Sequence, residues 1–210
     1  ANYITTIGYG YDAEELAKFW PADLHIVGKD ISRFHAVYWP IMLMSAGLEL
    51  PKARYVHGFI NAPGGLKMSK SLGNSVEPAD AIAKYGVDAL RYYLLREIPS
   101  DGDGEFGLPR LGTVYNSDLA NGLGNLVQRV ASMTIKYCDG QFTVGEEASR
   151  HELGELLKYC AFDRALDGIF ESVRSLNQKI EESKPWEMAK EDSTGVTKLL
   201  NDLITEIVWV

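Results

Sequence analysis

Two lysines and two serines lie close together in a glycine-rich stretch in the first half of the chain. Lys67 and Lys70 flank Ser69, and Ser71 follows directly. Ammonium groups, hydroxyls and free backbone N–H groups are donors that suit a triphosphate. Lysine is a compact charge on a flexible stem, so it can follow phosphate charge as it moves during a reaction. This pattern favours a nucleoside triphosphate site, although exposed loops of no special function also contain these residue types.

The elements before this stretch predict a sheet that would position it. Residues 24–28 are typical of a short buried strand, residues 54–60 are typical of a second strand, and a helical pattern lies between them. Two strands joined by a helix are usually parallel. Ligands bind outside the carboxyl ends of parallel strands. The loop of residues 63–72 follows the second strand, so it is expected at that end of the sheet.

The rest of the chain is predicted to be helical. Residues 78–85 and 87–97 are expected to form two helices separated by Gly86, and the acidic turn of residues 101–105 is a plausible domain edge. Beyond it, apolar residues recur at helical spacing, most clearly at Leu166, Ile169, Phe170, Val173, Leu176 and Ile180. The predicted fold class is therefore α/β followed by all-α, with several amphipathic helices in a bundle.

Composition and charge exclude several classes of protein. Hydrophobic residues make up 46% and charged residues 24%, as in ordinary globular chains. Residues 1–100 contain equal numbers of acidic and basic residues, so the net charge of −8 falls entirely in residues 101–210. Because no broad basic surface exists, any contact with nucleic acid must be local. Two cysteines, Cys138 and Cys160, are too few for a four-cysteine zinc site.

The lysine segment also resembles a known motif. Residues 65–74, GLKMSKSLGN, are similar to the KMSKS loop that several class I aminoacyl-tRNA synthetases share. Four further segments resemble the methionyl-tRNA synthetases in particular: residues 28–40, 85–97, 116–129 and 184–186. The resemblance covers nearly the whole chain. It implies part of a cytoplasmic ligase that uses ATP with Mg²⁺ to form methionyl-adenylate and transfers methionine to tRNA(Met), with no membrane partner.

The resemblance also implies three regions. Residues 1–72 would be the C-terminal part of a Rossmann-like catalytic domain with a parallel sheet. Residues 73–114 would form a stem-contact region. Residues 115–210 would form an incomplete anticodon-binding helix bundle.

An ATP site is implied at the loop and at the end of the second strand. Its residues would be His57, Gly58, Lys67, Met68, Ser69, Lys70 and Ser71. Lys70, supported by Lys67, would act catalytically on the triphosphate. Met68 is expected to be a packing anchor that closes the loop. Gly58 would allow close approach of the backbone to the adenosine.

A methionine site is implied on the segment after the first strand. Asp30 would pair with the substrate ammonium or with a ribose, and His35 would form a wall that senses the methionine side chain. Trp39 is expected to support this wall. Without the resemblance, His35 would be read as an ordinary core histidine.

An anticodon-reading site is implied in the helical half. Asn125 and Arg129 are four residues apart, so they share one helix face, and they would hydrogen-bond unstacked bases. Trp186 would stack on an anticodon base. The alternatives are a solvated polar face for the first two residues and a core position for Trp186.

Parts of a complete ligase have no counterpart in this sequence. Neither the family's first catalytic half with its HIGH motif nor the inserted peptide with zinc-binding cysteines is present. We therefore expect a piece of a longer protein that has no zinc site in this segment and is inactive alone. Two other readings stay open, namely a stand-alone tRNA anticodon-binding module and a class I synthetase for another amino acid.

Overall fold

The computed structural model describes residues 2–146 and 151–209, without the side chains of Lys70, His151 and Glu152. The chain forms two compact units. Unit 1 comprises Ala1–Ile60 and Ser100–Gly104, and unit 2 comprises Asn61–Pro99 and Glu105–Val210. The structure is mostly helical with a small parallel sheet. Within the described ranges, no helix has the length and apolar character needed to cross a membrane.

Unit 1 contains the predicted parallel sheet. Strand β1, Leu24–Gly28, pairs in parallel with β2, Ala53–His57, from the pair Leu24 and Ala53 to the pair Gly28 and His57. The first strand and the parallel pairing are thus confirmed. The prediction that β1 is a buried strand is wrong, because only its Val27 is buried and Ile26 is 66% exposed.

Helical segments precede the first strand of unit 1 and connect it to the second. Helices α1, Asn2–Thr6, and α2, Ala13–Phe19, precede β1. The connection from β1 to β2 is helical as predicted, but it changes type along its length: a 3₁₀ turn at Lys29–Ile31, a π-helical turn at Phe34–Tyr38, and α3 at Trp39–Ser45. A small core of Ile4, Trp20, Ala22 and Leu43 holds these elements together.

The second strand ends earlier than predicted. After His57 the chain leaves the sheet at Gly58 and Phe59, and β3, Ile60–Asn61, pairs instead with β4, Gly104–Glu105. The Phe59 N–H donates to the Asp103 carboxylate at 2.8 Å. A Cβ on Gly58 would overlap the Gly102 carbonyl. Partners more than 40 residues away in sequence therefore end the strand.

Unit 2 begins with the loop and then becomes helical. Helices α4, Pro78–Tyr85, and α5, Val87–Glu97, have the predicted bounds, and Gly86 between them has a φ of +86°. The remaining helical elements are α6 (Leu108–Val114), a π-helical segment (Tyr115–Gly124), α7 (Asn125–Cys138), α8 (His151–Lys158), α9 (Phe162–Ser183), α10 (Pro185–Met188) and α11 (Ser193–Val208).

Two apolar clusters organise these helices. The lower-numbered cluster packs α4, α5 and α6 together through Ala81, Leu90, Tyr93, Phe106, Leu111 and Val114. The bundle core packs α7, α9 and α11 together through Leu126, Val130, Phe170, Val173, Leu176, Ile180, Val196, Leu200 and Leu203. The stripe predicted on residues 166–180 supplies the α9 side of this core, with Phe170, Val173, Leu176 and Ile180 buried.

Candidate functional site

The lysine loop, residues 63–74, is attached to unit 2 through its methionine. Met68 packs against the lower-numbered cluster, whereas Lys67 before it is exposed. The anchor expected at Met68 is therefore present. A 3₁₀ turn, Lys70–Leu72, follows, and the Ser69 and Ser71 hydroxyls lie 2.7 Å apart. The predicted contact of the Lys70 side chain lies outside the described residues.

A residue that sequence reasoning missed closes this loop. The Asn74 side chain accepts a hydrogen bond from the Ser69 N–H at 2.8 Å and donates one to the Lys67 carbonyl at 3.1 Å. The available signal was an asparagine directly after Gly73, because asparagine side chains commonly bond to nearby backbone in turns.

The start of the loop is fixed by a second set of contacts. Ala62 donates its N–H to the Leu66 carbonyl at 2.7 Å, which makes a tight turn over the glycines. The Gly64 N–H donates to Glu105 Oε2 at 3.1 Å, and the backbone carbonyl of Glu105 accepts from the Tyr93 hydroxyl at 3.0 Å. The backbone is therefore held at both ends of the segment that carries the lysines.

The carboxyl ends of β1 and β2 bring together Asp30 and His57, two of the site residues predicted in unit 1. Gly28 pairs with His57, and the side chains of Asp30 and His57 both flank Gly28. His57 Nδ1 lies 2.9 Å from the Gly58 carbonyl. A glycine is needed at position 58 because the Gly102 carbonyl lies close to its backbone. This contact differs from the close approach to adenosine that was expected there.

An ion pair beside this edge was also missed. Lys29 Nζ lies 2.6 and 2.7 Å from the two oxygens of Asp103 and 4.6 Å from the centre of the Phe59 ring. The hydrogen bond from Lys29, followed by that from the Phe59 N–H, lowers the pKa of Asp103. This tertiary pair has no local sequence signal.

A cavity of about 500 Å³ lies between β1 and the helical segment that follows it in unit 1. His35 and Trp39 line it, together with Tyr3, Leu24, His25, Ile26, Val27, Phe34, Tyr38 and Met42. Asp30 is not among these lining residues. His35 Nδ1 lies 3.0 Å from the Ile31 carbonyl, so the Nδ1–H donates to that oxygen.

His25 is a second imidazole in this cavity and was not predicted. Its ring packs edge-on to His35 at 6.5 Å between centres and tilts against Trp20 at 6.2 Å. Its Nδ1 is buried without a hydrogen-bond partner among the described residues. Burial, followed by the nearby His35 and Arg54, lowers the pKa of His25, so the ring stays neutral near pH 7.

The residues predicted to contact RNA lie in unit 2. Asn125 and Arg129 both belong to α7, where Asn125 is exposed and Arg129 is half-buried. Arg129 Nη2 lies 2.7 Å from Glu181 Oε1 near the end of α9. Since α10 with Trp186 begins just after α9, Arg129 and Trp186 belong to the same end of the bundle.

Trp186 does not occupy a core position. It is 39% exposed, and its neighbour Pro185 is the buried residue of α10. Lys184 before them has a φ of +44°, which separates α9 from α10. Part of the indole is therefore available at the surface.

Acidic, cysteine and histidine side chains do not cluster as a metal site requires in the part of the chain that the structure describes. No group of three or more such residues is placed to hold an ion there.

Residues 1–131 match the sequence model of the family described as tRNA synthetases class I (M). The chain belongs to this family. This chain is 48% identical to the methionine–tRNA ligase of Clostridium acetobutylicum, and the match covers 92% of this chain and 32% of that protein. It is 42% identical to the methionine–tRNA ligase of Thermotoga maritima, over 90% of this chain and 32% of that protein.

Solved structures of the same family are also similar. This chain matches the structure of Mycobacterium tuberculosis methionyl-tRNA synthetase bound by methionyl-adenylate, with a TM-score of 0.84 and 39% sequence identity. The match covers 98% of this chain and 43% of that one. The chain spans about a third of the length of the curated relatives it matches.

Proposed function

We propose that this chain is part of a methionine–tRNA ligase that activates methionine with ATP and transfers it to tRNA(Met). The cavity in unit 1 carries the proposal. Its walls are mostly apolar and aromatic, and its volume of about 500 Å³ is typical of a site for a small molecule. A thioether makes favourable contacts with aromatic rings, so these walls favour methionine over an aliphatic side chain of equal size.

His35 and Trp39 form part of the methionine site in this proposal. Both side chains line the cavity, where His35 forms a wall beside the methionine side chain and Trp39 supports that wall. Asp30, beside the end of β1, pairs with the substrate ammonium or with a ribose. Methionine then lies with its apolar end in the cavity and its charged end near the strand ends.

The lysine loop binds the phosphates of ATP in this proposal, and His57 and Gly58 are further ATP-binding residues. The methionine carboxylate attacks the α-phosphate, the bond to the β-phosphate oxygen breaks, and pyrophosphate leaves. Lys67 and Lys70 stabilise the charge that spreads over the phosphate oxygens, with Ser69 and Ser71 as further donors. Mg²⁺ enters with ATP as part of the substrate.

Asn125, Arg129 and Trp186 read the anticodon in the proposed enzyme. The amide and guanidinium contact base edges, and the exposed part of the indole stacks on a base. The 39% exposure of Trp186 supports this role, and the salt bridge of Arg129 with Glu181 places the guanidinium near the same end of the bundle.

The three regions expected from the sequence belong to the same proposal. Residues 1–72 contribute to a Rossmann-like catalytic domain, residues 73–114 to a stem-contact region, and residues 115–210 to an anticodon-binding bundle. A ligase of this kind works where translation takes place, so we place the protein in the cytoplasm.

Amino-acid-dependent exchange between ATP and pyrophosphate tests this proposal. Because this sequence contains no HIGH motif, the assay uses a hybrid in which the chain replaces the matching segment of the Clostridium acetobutylicum ligase. We expect exchange with methionine and not with leucine, isoleucine, valine or cysteine. Exchange driven best by one of these four amino acids would overturn the assignment of methionine.

A variant of the cavity makes the test specific. His35→Ala in the hybrid should raise the KM for methionine and leave the KM for ATP nearly unchanged, because His35 lines the cavity. Unchanged methionine kinetics with a large loss of thermal stability would make His35 a core residue only.

The anticodon-binding module remains a second candidate, because Asn125, Arg129 and Trp186 all lie in one compact unit with its own core. The 210-residue chain alone should bind a tRNA(Met) anticodon stem-loop but show no exchange. Binding by the chain together with an inactive hybrid would favour the module.

A further inference from the structure

One side chain bridges the backbone on both sides of Met68 in the lysine loop. Asn74 Oδ1 accepts from the Ser69 N–H at 2.8 Å, and Asn74 Nδ2 donates to the Lys67 carbonyl at 3.1 Å. Asn74 is half-buried, so its two hydrogen bonds are partly shielded from competition by water. The two bonded groups belong to the residues directly before and after the packing anchor.

We infer that Asn74 is a positioning residue that presets the loop backbone from which Lys67 and Lys70 reach the phosphates of ATP. This inference rests on the proposed function of the loop. Asn74 itself does not touch the reacting atoms in this inference. It acts through the lysines.

The surrounding contacts show why such a bridge matters. Met68 fixes the middle of the segment by packing, but a single packed side chain leaves the peptide groups on either side free to rotate. Asn74 fixes both of these groups, and the Leu72 N–H donates to the Ser69 carbonyl at 3.2 Å beyond them. Charged groups stabilise a transition state most when they are already in place, because no reorganisation is then needed.

The bridge requires a side chain that donates and accepts at once. An aspartate at this position would still accept from the Ser69 N–H, but it cannot donate to the Lys67 carbonyl and would add negative charge beside the lysines. Alanine would lose both hydrogen bonds. The chain reverses at Gly73, whose φ is +64°, which returns residue 74 to the lysines.

Kinetics of Asn74→Ala and Asn74→Asp in the hybrid ligase test the inference. We expect kcat for exchange to fall about ten- to a hundredfold, as for small displacements of catalytic groups, with little change in the KM for methionine. Asn177→Ala is the matched control, because the Asn177 amide donates to the Val173 carbonyl within α9 at 3.0 Å. This control should leave exchange nearly unchanged.

A double variant separates positioning from general stability. If Asn74 acts through the lysines, Asn74→Ala should lower kcat by a smaller factor in the Lys70→Ala background than in the parent hybrid. Fully additive losses would contradict the inference. If Lys67→Ala and Lys70→Ala leave kcat unchanged, the proposed function of the loop is wrong. If both lysine variants lose activity and Asn74→Ala does not, only the inference is wrong.

Amide hydrogen exchange on the 210-residue chain tests the bridge without catalysis. The Ser69 amide should exchange slowly in the parent chain and in Asn74→Asp, which keeps the acceptor, and faster in Asn74→Ala. Equal exchange rates in all three would overturn the bridge. A urea unfolding curve for each variant shows that the loop, and not the whole unit, has changed.

Discussion

Arg129, which we propose reads the anticodon, is paired with a carboxylate on the neighbouring helix. Its Nη2 lies 2.7 Å from Glu181 Oε1, and the two side chains are 28% and 62% exposed. To bond an RNA base, the guanidinium must leave or share this partner. Glu181→Gln removes the charge and keeps the shape, so we expect it to increase affinity for an anticodon stem-loop.

The exposure of the pair sets the size of this effect. Ion pairs that are open to water contribute about 0.2–1 kcal/mol. If that free energy no longer opposes binding, affinity should rise by up to about fivefold. Salt screens exposed charges, so the difference should shrink as ionic strength rises. Discrimination among anticodons should fall, because the unpaired guanidinium also meets phosphates more readily.

The assay is a titration of a labelled tRNA(Met) anticodon stem-loop with the 210-residue chain. Glu206→Gln is the matched control, because Glu206 pairs with Lys179 at 3.0 Å and both side chains are about half exposed. Each variant changes the net charge by the same amount, so the control corrects for long-range attraction. Equal gains in both variants, or weaker binding by Glu181→Gln, would refute the reasoning.

Three other predictions concern single residues. Trp186→Ala in the hybrid should weaken tRNA charging about ten- to a hundredfold, since stacking of one base contributes about 1–3 kcal/mol, while exchange stays intact. Equal losses in both assays would argue against stacking. Lys70→Ala should raise the activation barrier for exchange by about 3 kcal/mol and so lower kcat. A higher KM for methionine at constant kcat would contradict the proposed role of Lys70. The pKa of His25 is lowered in the folded protein. As the pH falls below about 6.5, His25 is protonated first in the unfolded state, so the folded protein should lose stability over that range. Urea midpoints should fall less between pH 8 and pH 5 in His25→Phe, and parallel curves would exclude this cause.

The predicted bounds of α4 and α5 agree with the structure at every terminal residue. Helix α4 begins at Pro78 and ends before Gly86, which adopts a positive φ that glycine tolerates. The bounds of α4 and α5 therefore follow from residues at or next to their ends. The β1 strand was predicted for the same reason, since its apolar run is short and bounded. These features depend on neighbours within a few positions along the chain.

The missed features depend on partners far away in sequence. The early end of β2 results from Asp103 and Gly102, which meet Phe59 and Gly58 only after folding. His25 joins the candidate methionine site because β1 packs against the helical segment that carries His35. Periodicity within a strand gives the side on which His25 lies, but not the cavity on that side.

The negative charge of the helical half constrains how this chain recognises RNA under the proposed function. Residues 101–210 carry the whole net charge of −8, and Arg129 already has a carboxylate partner. Attraction to phosphates supplies affinity for any nucleic acid regardless of sequence. Since that attraction is weak here, binding must come from stacking on Trp186 and from base edges at Asn125 and Arg129. The shortage of positive charge therefore favours the cognate anticodon over other RNA, because only an RNA that makes these specific contacts overcomes the repulsion.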